Sequence, residues 1–322
     1  MIRTPRRWAV LVAVVAAGAL LTAGTASPAR ALPHGKFGLA LASCIDRTTR
    51  TIDRFSALNR ITYGYSARGD SREPALGQLS QDLPASAKGK AGKTFSATVP
   101  VWFHVITDGA IGNVSDKVIS DQIRVLNLAY AGFYGGAKTG FSFTLVGVDR
   151  TNNADWFYTG PGSKAERDMK AALHRGGRET LNIYSTTAGP YLGWAYLPGS
   201  IDQQGQALKD GIVIDWESEP GASTTYAGRY DLGHTATHEA GHWLDLEHTF
   251  YGGCNHYGDY VDDTPPELTP TSGCPAGKDT CPDPGLDPIH NYMDYSYDEC
   301  YSEFTQGQAQ RMRDAWLLYR AP

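Results

Sequence analysis

An α/β fold with a twisted, mostly parallel sheet is the fold class that the sequence predicts. Short apolar runs alternate with amphipathic helical segments between residues 98 and 244, which is the pattern of parallel strands joined by crossover helices. Seven prolines then fall between residues 250 and 290, and no regular helix or strand persists at that density. We therefore expect one α/β domain over residues 95–322, with an irregular C-terminal subdomain.

The individual elements follow from apolar periodicity and from capping residues. Ser115 can cap the first helix of the domain, and Thr305 with Gln308 has the spacing of a capping box at the start of the last helix. In chain order, the predicted elements are strand Thr98–Thr107, helix 115 to about 134, strand Phe141–Val148, helix Lys164–His174, strands Leu181–Ser185 and Gly211–Trp216, helix Gly233–Leu244, and a helix from Thr305.

Residues 1–31 have the form of a secretory signal peptide. Arg3, Arg6 and Arg7 precede a run of 14 apolar or glycine residues, Trp8–Leu21, and Ala29-Arg30-Ala31 forms a small-residue cleavage site. A membrane anchor is the alternative, but the run is shorter than the roughly 20 residues that span a bilayer. We therefore expect a secreted, extracellular protein.

Residues 32–94 are predicted to be a propeptide and linker. They contain one candidate helix, Leu39–Phe55, and then residues 75–94, which are rich in Ala, Gly, Ser and Lys and poor in large apolar groups. That composition is typical of an exposed linker that proteases can cut. A disordered N-terminal tail is the alternative interpretation.

The charge of the chain excludes two classes of partner. The net charge is −5, and residues 1–31 contain four arginines and no acidic residue, so their removal leaves a net charge of −9. A chain this acidic lacks the basic surface that binds nucleic acid or an anionic membrane. We expect neither nucleic acid nor a membrane as a partner.

The strongest chemical signal is the segment His238-Glu239-Ala240-Gly241-His242. Histidines four apart on a helix project from one face, which is the spacing that two ligands of one zinc ion need. A carboxylate beside the first ligand can accept a proton from zinc-activated water. His248 can supply a third ligand only if the helix ends and the chain turns back. A solvated helix with two ordinary histidines is the alternative.

A second motif, Asn291-Tyr292-Met293-Asp294-Tyr295, lies downstream. Together the two motifs resemble the metzincin pattern of zinc endopeptidases, His-Glu-x-x-His-x-x-Gly-x-x-His followed by a Met-turn. The longer strings HEAGHWLDLEHTF, GDYVDDTPPE and NYMDYSYDECYSEFTQGQAQRM are similar to the pappalysin family of metzincins. The resemblance implies a zinc-dependent endopeptidase with a twisted sheet, an active-site helix and a cleft between two subdomains.

The resemblance implies a role for each matching residue. The ligands of one catalytic Zn²⁺ would be His238, His242 and His248. Glu239 would be the general base and then the proton donor to the leaving amine. Met293 would pack beneath the zinc ion without being one of its ligands. Tyr295 would hydrogen-bond the tetrahedral intermediate, and a packed aromatic side chain is the alternative.

The chain departs from the metzincin pattern at Asp245, which stands where the pattern has glycine. That glycine permits the left-handed backbone that turns the chain toward the third histidine. Asp is among the few residues that tolerate this region, so we expect the turn to form. On this argument, Asp245→Gly would preserve or raise activity.

Five cysteines fit an oxidising compartment. The four near the C-terminus allow three pairings, and the sequence alone does not choose among them. The resemblance implies the crossed disulfides Cys254–Cys281 and Cys274–Cys300, with sequential pairing as the alternative. Cys44 lies in the predicted propeptide, where related proenzymes place a thiolate on the open zinc position. An incidental free thiol is the alternative for Cys44.

A loop with Asp259, Asp262, Asp263 and Thr264 offers a cluster of hard oxygen ligands. Related enzymes bind calcium near this point, and Asp259 with Thr264 match best. Carboxylate and carbonyl oxygens in a flexible loop suit Ca²⁺. A solvated acidic turn is the alternative.

These features predict a secreted zinc metalloendopeptidase that is made as a latent proenzyme and acts as a monomer on protein or peptide substrates. A secreted zinc-containing binding or adhesion module without catalysis is the alternative. Glu239 disfavours that alternative, because a purely structural zinc site does not need a carboxylate at this position.

Overall fold

The computed structural model describes residues 82–322 except 93, 204–208 and 256–257. All of these residues belong to one compact unit of the chain. The predicted signal peptide, the helix Leu39–Phe55 and Cys44 lie outside the described residues. Within the described part of the chain, no helix has the length and apolar character needed to span a bilayer.

The sheet has five strands: β1 (Ala97–Thr107), β2 (Phe141–Asn152), β3 (Leu181–Thr186), β4 (Gly193–Ala195) and β5 (Ile212–Asp215). Their order across the sheet is β2-β1-β3-β5-β4. The first four strands in that order are parallel, and only β4, at the edge, runs antiparallel to its neighbour. The prediction of a mostly parallel α/β sheet is therefore confirmed.

In the part of the chain that the structure describes, six α-helices accompany the sheet: α1 (Asp116–Tyr130), α2 (Ala154–Phe157), α3 (Lys164–Leu173), α4 (Pro198–Gln203), α5 (His234–Trp243) and α6 (Gln306–Ala315). The Ser115 side chain caps α1 by accepting from the Val118 N–H, as predicted. The helix ends at Tyr130, four residues earlier than expected, because Gly132 adopts a φ of 67° and turns the chain away. The predicted Thr305–Gln308 capping box is present at α6.

The core lies on both faces of the sheet. Phe103 of β1, Tyr130 of α1, Trp243 of α5 and Met312 of α6 are buried together on one face. A second cluster, which includes Phe157 and Met169, covers the other face. Burial of each large apolar side chain contributes about 1.5–3 kcal/mol. Because Trp243 is completely buried at the end of α5, the position of that helix is fixed by the core.

Strand β4 and the short helices α2 and α4 were not predicted from the sequence. β4 has three residues and α2 has four, too few to show a hydrophobic period. β2 also continues four residues beyond its predicted end at Val148, because its outer residues alternate between partly buried and exposed up to Asn152.

The proline-rich segment is irregular, as predicted, and its disulfides join Cys254 to Cys281 and Cys274 to Cys300. The Cα–Cα distances, 5.5 and 5.8 Å, lie within the usual range for a disulfide. The structure therefore has the crossed pairing that the resemblance implies. The Cys254–Cys281 disulfide lies within the proline-rich segment, and the Cys274–Cys300 disulfide connects that segment to the short 3₁₀ turn at Asp298–Cys300.

Residues 82–92, the described part of the predicted linker, pack against α6. The backbone N–H groups of Gly89 and Ala91 donate to the Asp314 carboxylate at 2.7 and 2.9 Å. Leu83 and Ala87 are buried. This differs from the expected exposed linker, because a carboxylate on α6 satisfies the backbone donors of the segment.

Candidate active site

Helix α5 carries the predicted metal-binding residues, and α1 holds its N-terminal half. The Gln122 side chain of α1 donates to the carbonyl oxygen of Gly233 at 2.9 Å. The Tyr130 hydroxyl donates to the carbonyl oxygen of Thr237 at 3.2 Å. Ala236 and Ala240 face the main core, so the opposite face of α5 presents His238 and His242.

The three predicted histidines converge on one point. The Nε2 atoms lie 3.1 Å apart for His238 and His242, 3.0 Å for His242 and His248, and 3.2 Å for His248 and His238. Their ligand atoms form a group that could hold a metal ion. The imidazole of His248 therefore reaches the site even though it lies six residues beyond His242.

Backbone carbonyl groups fix the protonation of two of these rings. The Nδ1–H of His238 donates to the Tyr292 carbonyl oxygen at 2.6 Å, and the Nδ1–H of His242 donates to the Leu246 carbonyl oxygen at 2.7 Å. A carbonyl oxygen only accepts, so in the neutral rings Nδ1 carries the proton and Nε2 keeps its lone pair. Lone pairs that meet at about 3 Å repel one another unless a cation lies between them, so the donor set fits a metal ion.

The chain reverses immediately after α5, as predicted. Asp245 has a φ of 77°, in the left-handed region. The Leu246 N–H donates to the Gly241 carbonyl oxygen at 3.0 Å, and the Asp245 N–H donates to the His242 carbonyl oxygen at 2.9 Å. These two bonds form a Schellman motif, in which Asp245 takes the position usually occupied by glycine.

Two arginines of the C-terminal segment bind the carbonyl groups at this helix end. The Nε–H of Arg320 donates to the Trp243 carbonyl oxygen, and the Nε–H of Arg311 donates to the Asp245 carbonyl oxygen, both at 2.7 Å. Cations are favourable at a helix C-terminus, where carbonyl groups lack partners within the helix. Burial raises the pKa of the Asp245 carboxyl to about 6, and the Arg311 guanidinium opposes that rise.

The predicted Met-turn packs beneath α5. The Met293 N–H donates to the Asn291 side chain at 3.0 Å, and Asn291 in turn exchanges hydrogen bonds with Gln308 of the α6 capping box. Met293 is completely buried. A Cβ atom on Gly241 would lie 2.4 Å from the Met293 sulfur, so a side chain at this position between the two predicted metal-binding histidines would displace the buried methionine.

Tyr295 also lies beside the histidines. Its ring centroid is 4.9 Å from that of His248 and 5.7 Å from that of His238. Phe250 packs on the same ring at 4.8 Å. The structure thus brings Tyr295 to the three histidines that the sequence predicted for the catalytic centre.

Gly193 of β4 is a site residue that the sequence reasoning missed. A Cβ atom on Gly193 would lie 2.8 Å from both Cγ and Oε1 of Glu239 and 2.8 Å from the Val213 carbonyl oxygen. The edge strand therefore passes directly against the predicted general base. A glycine in a strand often marks such a close approach, but a three-residue strand gives no pattern that would reveal it.

A buried ion pair holds β4 in this position. The indole N–H of Trp194 donates to Glu166 at 2.7 Å, and Lys170 pairs with the same carboxylate at 3.0 Å. Glu166 and Lys170 are both on α3 and both buried. Because the donors and the cation neutralise the carboxylate, α3 can anchor the edge strand without an unpaired buried charge.

The predicted calcium residues lie on a separate loop. Oδ2 of Asp259 and Oγ1 of Thr264 are buried, and neither forms a hydrogen bond of good geometry among the described residues, although the Thr264 hydroxyl lies close enough to the Asp259 carboxyl to lower its pKa. Burial raises the pKa of Asp259 to about 7. Asp263 instead accepts from the Gly307 N–H at the start of α6, and Asp262 is exposed.

Comparison with known proteins agrees with this geometry. The sequence profile of the Peptidase_M43 family, described as pregnancy-associated plasma protein-A, matches residues 221–316. An extracellular metalloprotease of Arthroderma benhamiae is 46% identical over 231 residues, which are 70% of this chain and 74% of that protein. Extracellular metalloprotease 1 of Coccidioides posadasii is 42% identical over 79% of this chain and 90% of its own length.

The chain belongs to the M43 peptidase family. The M43 (pappalysin) family is the one that the sequence motifs resemble, so this resemblance is confirmed. Mature mirolysin of Tannerella forsythia, solved in complex with a cleaved peptide, superposes with a TM-score of 0.57. The two chains are 29% identical, and the match covers 70% of this chain and 99% of the mirolysin chain. This M43 protein is therefore a metalloendopeptidase with a metzincin-like fold.

We predict that Gly193→Ala lowers kcat/KM for peptide cleavage by about 10- to 100-fold, because the new methyl group displaces the Glu239 carboxylate. Steady-state kinetics on a fluorogenic peptide measures the effect. Gly160→Ala is the matched control, because a Cβ atom there meets no atom within 4 Å. Equal kinetics for both variants would contradict the role of Gly193.

Proposed function

We propose that this chain is an extracellular zinc endopeptidase, with one Zn²⁺ held by His238, His242 and His248. The observation that carries this proposal is the convergence of their Nε2 atoms at 3.0–3.2 Å. Two nitrogens that are each roughly 2.0–2.1 Å from a tetrahedral zinc ion lie about 3.3 Å apart, close to these distances. Imidazole nitrogens favour zinc over magnesium and calcium, which prefer oxygen ligands.

The protein groups around this centre can move and stabilise the reacting atoms. Bound zinc supplies Lewis-acid chemistry, since it polarises a peptide carbonyl and lowers the pKa of water. Glu239 accepts the proton of the attacking water and then delivers it to the leaving amine. Tyr295 donates a hydrogen bond to the carbonyl oxygen as negative charge develops on it. Met293 and Gly241 keep α5 in place beneath the reacting groups.

The edge strand β4 suits the recognition of an extended peptide. It is at the edge of the sheet and passes against Glu239, so a substrate that pairs with it lies beside the general base. An edge strand recognises the peptide backbone through hydrogen bonds, largely independent of side chains. Mirolysin was solved with a cleaved peptide, and we propose that protein and peptide substrates bind here in the same extended form.

Export and latency complete the proposal. The relatives are extracellular metalloproteases, which supports removal of residues 1–31 as a signal peptide. Residues after the signal peptide would form a propeptide in which the Cys44 thiolate occupies the zinc position needed by water. Since residues 82–92 pack against α6 through Asp314, we propose that the activating cut precedes Asp82.

The alternative, a zinc-containing binding module, differs from the proposed enzyme because it does not need Glu239 as a base. We predict that Glu239→Gln retains one zinc ion per chain but lowers kcat for casein or a fluorogenic peptide by at least about 10³-fold, because it removes the base. Tyr295→Phe should lower kcat by about 10²-fold with little change in KM. Kinetics, with zinc content from metal analysis, provides the measurement.

The matched control is Glu299→Gln, which changes an exposed glutamate. A zinc chelator should abolish cleavage, and added Zn²⁺ should restore it. A wild-type chain that binds zinc but cleaves nothing would favour the binding module. Full activity of Glu239→Gln would exclude the proposed general base.

For latency, we predict that Cys44→Ala shortens the lag before the purified proenzyme becomes active, because the thiolate ligand that blocks the site is lost. Mass spectrometry of the processed chain and a continuous peptide assay follow the conversion. Ser43→Ala, the neighbouring change, serves as the control. An unchanged lag for Cys44→Ala would rule out the thiolate switch.

We also propose that Asp259 and Thr264 bind Ca²⁺. Their two buried oxygens lack hydrogen bonds of good geometry in the described part of the chain, and calcium takes carboxylate, hydroxyl and carbonyl oxygens. An ion there would compensate for the burial of the Asp259 carboxylate.

In the Glu239→Gln background, which prevents self-digestion, calcium at about 100 times its Kd should raise the melting temperature by roughly 5–10 °C. Asp259→Asn should lose that response, because it removes the charged ligand. Asp262→Asn, which changes an exposed neighbour, should keep it. Differential scanning calorimetry provides the test, and equal responses of the two variants would disprove the site.

A further inference from the structure

Asp245 is buried, although it occupies a turn position that usually requires no side chain. Its carboxylate Oδ2 lies 2.8 Å from Nη2 of Arg311, and both side chains are at most 6% exposed. The same guanidinium donates from Nε to the Asp245 carbonyl oxygen at 2.7 Å. One arginine on α6 thus contacts both the backbone and the side chain of the residue that reverses the chain.

The peptide unit between Asp245 and Leu246 is consequently held at both ends. Its carbonyl group accepts from Arg311, and its N–H donates to the Gly241 carbonyl oxygen. The next carbonyl group, that of Leu246, accepts from the Nδ1–H of His242. The contact made by Arg311 therefore lies within one residue of the hydrogen bond that orients a metal-binding ring.

Two other contacts of Arg311 are weaker than this pair. Its guanidinium lies 5.5 Å from the centroid of the Tyr260 ring, a cation–π distance. Asp82, whose side chain is 42% exposed, lies 3.5 Å from Nη1. An exposed, longer pair contributes little, so of these two carboxylates Asp245 is the stronger partner of the buried arginine.

We propose that Asp245 and Arg311 form a clamp that takes over the role of the usual glycine and sets the position of His248. Both are positioning residues, since neither reaches the reacting atoms. This inference rests on the proposed zinc site. It also predicts the opposite of the sequence-based expectation for Asp245→Gly, because glycine would relieve the backbone but leave the buried guanidinium without its carboxylate.

The clamp can be tested by zinc affinity in the Glu239→Gln background, measured on the full chain by competition with a chromogenic chelator. We expect Asp245→Gly and Arg311→Met each to raise the zinc Kd by about 10- to 100-fold, the usual effect of losing a partner that orients metal ligands. The double variant should return to within about threefold of the parent, because glycine forms the turn unaided and neither member of the Asp245–Arg311 pair is left without the other.

Two conservative variants keep the test informative if the larger changes prevent folding. Asp245→Asn keeps a side chain that tolerates the left-handed region but removes the charge. Arg311→Lys keeps the charge but cannot, in one fixed geometry, both donate to the Asp245 carbonyl oxygen and hold its charge beside the carboxylate. Each should raise the zinc Kd, and by less than Asp245→Gly or Arg311→Met.

The matched control is Arg313→Met, which removes another α6 guanidinium that donates to the backbone carbonyl groups of Thr139 and Lys138. It should lower the melting temperature of the zinc-free chain without changing the zinc Kd. Asp82→Asn should likewise leave the Kd unchanged.

The clamp and the proposed function fail in different ways. A parent chain that binds no zinc would overturn the proposed function and the clamp with it. If the parent binds zinc and Asp245→Gly binds it equally well, the clamp alone is wrong. A double variant that is as impaired as the sum of its single changes would also overturn it, because the two residues would then act independently.

Discussion

The centre of this molecule depends on one electrostatic constraint. Three imidazole Nε2 atoms lie 3.0–3.2 Å apart, and backbone carbonyl groups hold the protons of two of the rings on the opposite nitrogen. Converging lone pairs need a cation, and the rest of the structure supplies the groups that force the convergence. The core fixes α5, the Met-turn supports it from below, and the turn at Asp245 returns the chain to the third histidine.

Local sequence patterns predicted most of this assembly. The pair His238 and His242 is set by the period of a helix, and the Ser115 and Thr305 caps are set by side chains within three residues of the donors they satisfy. The left-handed backbone at Asp245 could also be expected, because it depends on what Asp itself tolerates. Local patterns did not predict the disulfide pairing. Four cysteines allow three pairings, and only the family resemblance selected one of them.

What could not be predicted depends on contacts between distant parts of the chain. Gly193 is important because it meets Glu239, 46 positions further on, across a three-residue strand that has no pattern of its own. Arg311 lies 66 residues from Asp245 and looks, in the sequence, like an ordinary surface residue of an amphipathic helix. Residues 82–92 have the composition of a linker, and only the position of Asp314 explains why they pack.

All three metal-binding imidazoles come from one stretch of 11 residues, 238–248. A synthetic peptide copied from this stretch would contain every candidate ligand, yet it would lack the Tyr292 carbonyl group, the sulfur of Met293 and the guanidinium of Arg311. The peptide should therefore bind the metal more weakly than the intact protein does. The difference between the two binding free energies measures how much the surrounding fold preorganises the ligands.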